Sequence, residues 1–222
     1  MSLSQTSEIT DARRVLETEA AAIKLAAERL DANFVRAVEI LDVPHGKIVV
    51  SGLGKSGHVG RKIAATFCST GSPAVFMHAG EAVHGDLGVH QSGNPTVFLS
   101  NSGSTSELLA LVPILRCRGS SLVGILGNLD GVLAQKMDVA LDASVCREAD
   151  PLGIVPTASF VVTAALGDAL ASSLMHKRGF SEEDYAYTHP GGQLGRSWTL
   201  SVNDLMHPVE KVACCEEGTT LR

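Results

Sequence analysis

Several groups of residues in this chain have types and spacings suited to chemistry. The first is Ser100-Asn101-Ser102-Gly103-Ser104-Thr105-Ser106-Glu107. It follows an apolar run, Thr96 to Leu99, and precedes an apolar-periodic segment, Leu108 to Leu115. A strand, a hydroxyl-rich loop and a helix start together make an anion cradle. Backbone N–H groups and the positive helix end point out of such a loop, and hydroxyls add donors. The competing reading is plain capping, because Ser-x-x-Glu is also the spacing of a capping box.

The second group is Gly52-Leu53-Gly54-Lys55-Ser56-Gly57, placed after the apolar Ile48-Val49-Val50. Its G-x-G-x-x-G spacing is that of a dinucleotide loop. No acidic residue stands at the tip of the next strand, near Met77-His78, and a lysine inside the loop does not suit a close pyrophosphate. Val49 occupies the place of the first glycine of a Walker A loop. A small phosphorylated ligand fits better. Gly54 lets the backbone turn, Ser56 binds an anion or hydroxyl, and Lys55 supplies positive charge. A tight turn with no ligand is the alternative.

The third group, His78 to Asp86, holds His78, Glu81, His84 and Asp86. Steps of three do not gather three ligands on one helix face, and H-E-x-x-H is absent. His84 reads as a polar pocket residue or a simple loop residue, and no metal is expected. Glu148, in Arg147-Glu148-Ala149-Asp150-Pro151, lies after a strand and before a long helix. That is the side on which a third loop would meet the other two. His189 is fixed by Pro190 and followed by Gly191, Gly192 and Gly195. It reads as a presented acid/base histidine, or as a terminal turn.

These groups need a scaffold that aligns strand ends. Strands are expected at Ile48–Val50, Ala74–Met77, Thr96–Leu99, Leu122–Leu126 and Val139–Leu141. Helices are expected between them, and a long one from Pro156 to Lys177 with proline in its first turn. The alternation predicts an α/β fold: a parallel sheet covered on both faces, doubly wound, with ligands at the carboxyl ends of the strands. Residues 11–42 contain no proline or glycine and read as one long amphipathic helix, or two in line. Such a helix is either a packing arm for a partner subunit or a cover for its own sheet.

Composition narrows the function. Hydrophobic residues make up 45% and charged residues 19% of 222, a globular balance. A net charge of -6 and only 4% aromatics give neither a phosphate-backbone footprint nor stacking platforms, so no nucleic acid partner is expected. Five cysteines without a C-x-x-C pair suggest reduced thiols and a cytoplasmic protein. The polar start, Ser2 to Asp11, does not read as a signal peptide. The apolar stretch Phe160 to Met175 is broken by Gly167 and Asp168 and reads as too short for a bilayer, so no membrane is expected.

Taken together, Gly52 to His58, Gly80-Glu81-Ala82-Val83-His84-Gly85-Asp86-Leu87-Gly88, Ser100 to Gly103, Glu107, Pro151-Leu152-Gly153 and His189-Pro190-Gly191-Gly192 resemble the sugar isomerase (SIS) domain family. Within it they are similar to the arabinose 5-phosphate isomerase subfamily. The resemblance covers roughly residues 10–200. The tail Val202-Asn203-Asp204-Leu205-Met206-His207-Pro208 resembles the opening of a CBS domain. The expected organisation is a helical arm (1–45), a SIS domain (46–200), and a linker with the start of a truncated CBS domain (201–222).

The resemblance implies a flavodoxin-like, five-stranded parallel sheet and a homo-oligomer, dimer or tetramer. It implies interconversion of D-ribulose 5-phosphate and D-arabinose 5-phosphate through a cis-enediol, feeding 3-deoxy-D-manno-octulosonate for lipopolysaccharide or capsule, with no cofactor. Lys55, Glu107, Glu148 and His189 are then the catalytic candidates. Gly54, Ser56, His84, Ser100, Asn101, Ser102 and Thr105 are the substrate-binding candidates. Sequence does not assign base and ring-opening acid among Glu107, Glu148 and His189. A sugar-phosphate sensor, or an isomerase for another phosphosugar, are the rival readings.

Overall fold

The computed structural model describes residues 3–192, 201–212 and 217–218. Contacts divide the chain into two units, Met1–Phe180 and Ser181–Arg222.

The first unit is built on five parallel strands in the order β2-β1-β3-β4-β5. They are β1 (Ile48–Gly52), β2 (Ala74–His78), β3 (Thr96–Ser100), β4 (Leu122–Leu126) and β5 (Val139–Asp142). Every residue of β1, β3 and β4 is buried, because helices cover both faces of these three central strands. This explains their near-continuous apolar sequence. Edge strands β2 and β5 are partly open.

Helices α1 (Leu3–Glu28), α2 (Ala32–Leu41), α3 (Gly54–Ser69) and α6 (Ala158–Lys177) share one core, with Val50, Leu99 and Ile125. The short α4 (Ala79–Ala82) and α5 (Ser106–Cys117) cover the other face, over Val49, Phe98 and Leu126. Small residues let the first layer pack closely: a Cβ on Gly167 of α6 would overlap Ile63 of α3.

Several expectations need correction. The N-terminal helix begins before residue 11; of the two alternatives, one helix or two in line, it is two. Asp31 ends the continuity by turning extended and accepting the Asn33 N–H as the cap of α2. Both helices pack on their own unit, α1 on α6 and α2 on β5 and α6. Pro156 precedes α6 instead of occupying its first turn, and Thr157 is the N-cap. At 20 residues α6 is long and apolar enough to cross a membrane, against the expectation from its interruptions. Leu166, Leu170 and Leu174 are nonetheless buried in the shared core.

The second unit contains α7 (Glu182–Thr188), started by a capping box between Ser181 and Asp184. A single turn of helix, Val202–Leu205, lies further along this unit's chain. Residues 193–196 of the histidine–glycine loop lie outside the described residues.

Candidate functional site

Strand order reverses direction between β1 and β3: one chain path turns back to β2, the other goes on to β4. The crossover helices α3 and α5 therefore leave on opposite faces, and a crevice opens at the strand ends. Gly52 at the tip of β1 pairs with Leu99 of β3, so the two glycine-bearing segments of the sequence emerge side by side.

The Gly-Lys segment is less of a loop than its glycines suggest. Helix α3 starts at Gly54, whose φ of 52° makes the turn off the strand. Lys55 and Ser56 thus sit in the first helical turn, at the positive end of the dipole. A Cβ on Gly57 would come within 3.3 Å of the Gly52 carbonyl, so the helix start presses against the strand tip.

The serine segment is a braced loop. Ser100 is buried; its hydroxyl pairs with Thr105 Oγ1 at 2.8 Å and accepts the Gly103 N–H at 3.1 Å. Gly103 has φ 67°, its carbonyl accepts the Leu133 N–H at 2.9 Å, and a Cβ there would overlap the Asn128 carbonyl. The loop after β4 therefore clamps it. Ser102 is exposed and accepts the Ser104 N–H at 3.3 Å. The capping box does not form. Thr105 is the N-cap, without a side-chain capping bond, and Glu107 accepts instead from the Ser106 hydroxyl at 2.8 Å. Its own backbone N–H, the Ser106 hydroxyl and nearby His78 hold the Glu107 carboxyl below the usual range.

Glu148 is not the solvated side chain its isolation suggests. It accepts the Thr157 N–H at 2.9 Å, the Thr157 hydroxyl at 3.2 Å, the Ser159 N–H at 3.1 Å and the Ser159 hydroxyl. It caps the start of α6 from nine residues upstream. Burial pushes its carboxyl up, but the bonds from Ser159 and Thr157 outweigh this and leave it below the ordinary glutamate range.

A cleft of about 270 Å³ lies where these pieces meet. Lys55, Ser56, Asn101, Ser159 and Thr163 supply its polar lining, and Leu53, Val59 and Phe160 part of its apolar wall. The structure thus brings together Lys55, Ser56 and Asn101 of the predicted set. It leaves Ser100 and Thr105 turned to bracing the loop, and Ser102, Glu107 and His84 exposed outside the cleft lining. His84 follows α4, and its N–H donates to the Glu81 carbonyl. Glu148 reaches the cleft through Ser159. Sequence reasoning passed over Ser159 and Thr157. The available signal was a pair of hydroxyls just after Pro156, at a helix start, with an unpaired acid upstream.

In the second unit His189 closes α7. Its ring stacks on Tyr185 at 3.9 Å between centroids, and Nδ1 lies 3.0 Å from both the Tyr185 carbonyl and Thr188 Oγ1. The carbonyl only accepts, so Nδ1 carries the proton in the neutral ring and Nε2 is the basic nitrogen. Among the described residues, no group of three or more His, Cys, Asp or Glu side chains is placed to hold a metal ion.

The SIS domain family model matches residues 41–173. The chain belongs to the SIS domain family. The chain is 46% identical over 213 residues to the arabinose 5-phosphate isomerase KdsD of Pseudomonas aeruginosa, covering 96% of the chain and 65% of that protein. It is 44% identical over 210 residues to KdsD of Escherichia coli K12, covering 95% of the chain and 64% of that protein. The chain therefore spans about two thirds of the length of these curated relatives. A solved structure of c3406 from E. coli CFT073, in complex with arabinose 5-phosphate, is 35% identical with a TM-score of 0.79, covering 86% of this chain and all of that one. The doubly wound sheet expected from the strand pattern is that of a SIS domain.

Proposed function

We propose that this SIS domain interconverts D-ribulose 5-phosphate and D-arabinose 5-phosphate. The observation that carries the reading is the cleft at the reversal point, where Lys55, Asn101 and Ser159 converge. The printed activity of the KdsD relatives and the arabinose 5-phosphate complex of the E. coli neighbour support the substrate.

The substrate phosphate is anchored by the serine loop and by the positive ends of α3 and α5. The braced hydroxyls of Ser100 and Thr105 shape that loop, and Ser102, Asn101 and Ser56 offer the outward donors. The proton at C2 of the open-chain aldose passes to a base, and its electrons form the C1–C2 double bond of an enediolate. Lys55 stabilises the negative charge developing on oxygen. The proton returns at C1, the O2 hydroxyl proton passes to O1 through an acid/base group, and O2 becomes the ketose carbonyl, so no electrons leave the substrate. Glu148 keeps Ser159 and the start of α6 aimed at the cleft. Glu107 and His189 are the other proton-transfer candidates, and His84 is a substrate-contact candidate.

The reading includes a homo-oligomer. Ile9, Leu16, Ile23 and Leu30 recur every seven residues along α1 and its end, and are 49%, 67%, 38% and 45% exposed. A second copy covers this row, as an exposed apolar stripe of this length requires a partner. Light scattering checks it: Leu16→Glu with Ile23→Glu gives monomers.

The deciding assay is incubation with ribulose 5-phosphate without added cofactor, followed by chromatography of the sugar phosphates. Arabinose 5-phosphate is the expected product. Binding without turnover supports the sensor reading, and turnover of another phosphosugar alone supports a different isomerase.

A further inference from the structure

Three arginines gather away from that cleft. A cavity of about 310 Å³ opens between α1 and the segment that follows β5, and it shares no lining residue with the cleft at Lys55. Arg14, Arg29 and Arg147 line it, with Glu17 as its one acid.

The three guanidinium groups are not equivalent. Arg29 is committed to the fold. Its Nε lies 2.9 Å from Asp142 Oδ2, off the line of a hydrogen bond, and its Nη2 donates to the Ser144 carbonyl at 2.7 Å. That pairing ties the exit of β5 to the end of α1 and builds one wall of the cavity. Among the described residues Arg14 has only a solvated pairing with Asp11 at 3.9 Å, worth little in high dielectric. Arg147 makes no ion pair among the described residues. Ala21, Leu25 and Val145 give the cavity an apolar side.

We propose that this cavity is a second anion site, taking a small phosphorylated or carboxylated metabolite, with Arg14 and Arg147 as its ion-pairing residues. Guanidinium forks match phosphate and carboxylate oxygens in pairs, and the apolar side accommodates a short carbon chain. The volume is at the small end of ligand pockets, which favours molecules of a few carbons. The wall formed by Ser144 to Arg147 runs directly into Glu148, so a ligand here rests against the segment that caps α6. The exposed row of α1 points away from the cavity, since Leu16 and Ile23 fall on the other side of the helix from Arg14, Ala21 and Leu25. A second copy on that row leaves the cavity open.

Cys146 lines the cavity and is exposed, which makes it a local reporter that does not use activity. The test is alkylation by iodoacetamide, followed peptide by peptide by mass spectrometry, with 3-phosphoglycerate as the probe and glycerol as the uncharged control. At ten times its dissociation constant the probe lowers the Cys146 rate about tenfold by mass action. Cys68 and Cys117, exposed elsewhere, keep their rates. Arg147→Gln, alone or with Arg14→Gln, removes the protection, while Lys55→Gln keeps it. A Cys146 rate unchanged by millimolar probe overturns the proposal. So does a Cys146 that is unreactive without probe, protection that survives both arginine substitutions, or protection lost in Lys55→Gln. None of these outcomes depends on whether the chain turns over ribulose 5-phosphate.

Discussion

The Glu148 carboxylate accepts both the backbone N–H and the hydroxyl of Thr157, at 2.9 and 3.2 Å, across nine residues of chain. An acid placed as a possible base is thereby also the cap of the longest helix in the core after α1. Glu148→Gln keeps the shape but removes the charge from the helix start, and should cost about 1–2 kcal/mol. Thermal unfolding checks this as a fall of a few degrees in Tm. The folded carboxyl lies below its unfolded value, so its stabilisation is present above the unfolded pKa and is lost as pH falls through the folded one. Asp42, lowered by Arg178 and Lys177, adds to the same acid limb. Glu148→Gln should therefore flatten the loss of stability below about pH 4.5 and leave the Asp42 part. An unchanged acid limb would mean that the cap contributes nothing.

Gly103 offers a test of the clamped serine loop. Alanine there must adopt a positive φ and also meet the Asn128 carbonyl. Gly153 has nearly the same φ, 69°, with nothing near a Cβ. Gly153→Ala should cost about 1 kcal/mol and Gly103→Ala at least about 2 kcal/mol. Urea unfolding of the two variants isolates the contact. Equal costs would show that the loop yields without resistance.

Lys55 is exposed and has no ion pair among the described residues, so Lys55→Gln should change stability by no more than about 0.5 kcal/mol. If it stabilises an enediolate, kcat should fall at least about 100-fold while KM changes little. A rise in KM alone would move Lys55 from the transition state to simple phosphate binding.

Glu107 and Glu148 both sit below the ordinary carboxyl range and are ionised throughout neutral pH. Neither can give the rate an inflection near neutrality. If either is the base, kcat/KM should stay flat through neutral pH and fall only in the carboxylate range. His189→Gln should lower kcat at least about tenfold if its ring moves a proton in the reaction. An unchanged kcat would return the role of base to Glu107 or Glu148.

The sheet was legible because burial on both faces writes itself into sequence: Ile48-Val49-Val50 and Val97-Phe98-Leu99 have no polar alternation. The α3 start was harder. Two glycines and a lysine read as a loop, whereas the Gly57 N–H bonded to the Leu53 carbonyl and the packing of Gly57 on the Gly52 carbonyl make them a helical turn. Lys55, Ser56 and Asn101 line the cleft because each lies within a few residues of a strand end. Ser159 is not legible in this way, because its place depends on an acid eleven residues earlier that folds back onto it. The capping box at Glu107 is absent for a local reason: Thr105, not Ser104, is the N-cap of the helix.

The pairing of Gly52 with Leu99 sets a length scale. Neighbouring strands stand about 4.8 Å apart, and that spacing is held by a ladder of backbone hydrogen bonds and not by side chains. The segments bearing Lys55 and Ser100 are carried on adjacent rungs, so the frame between them works as a gauge for whatever spans it. Substitutions in either loop alter the grip at one end without resetting the gauge. New chain-length preferences would then come by changing donors, while the span stays fixed for as long as the strands hold register.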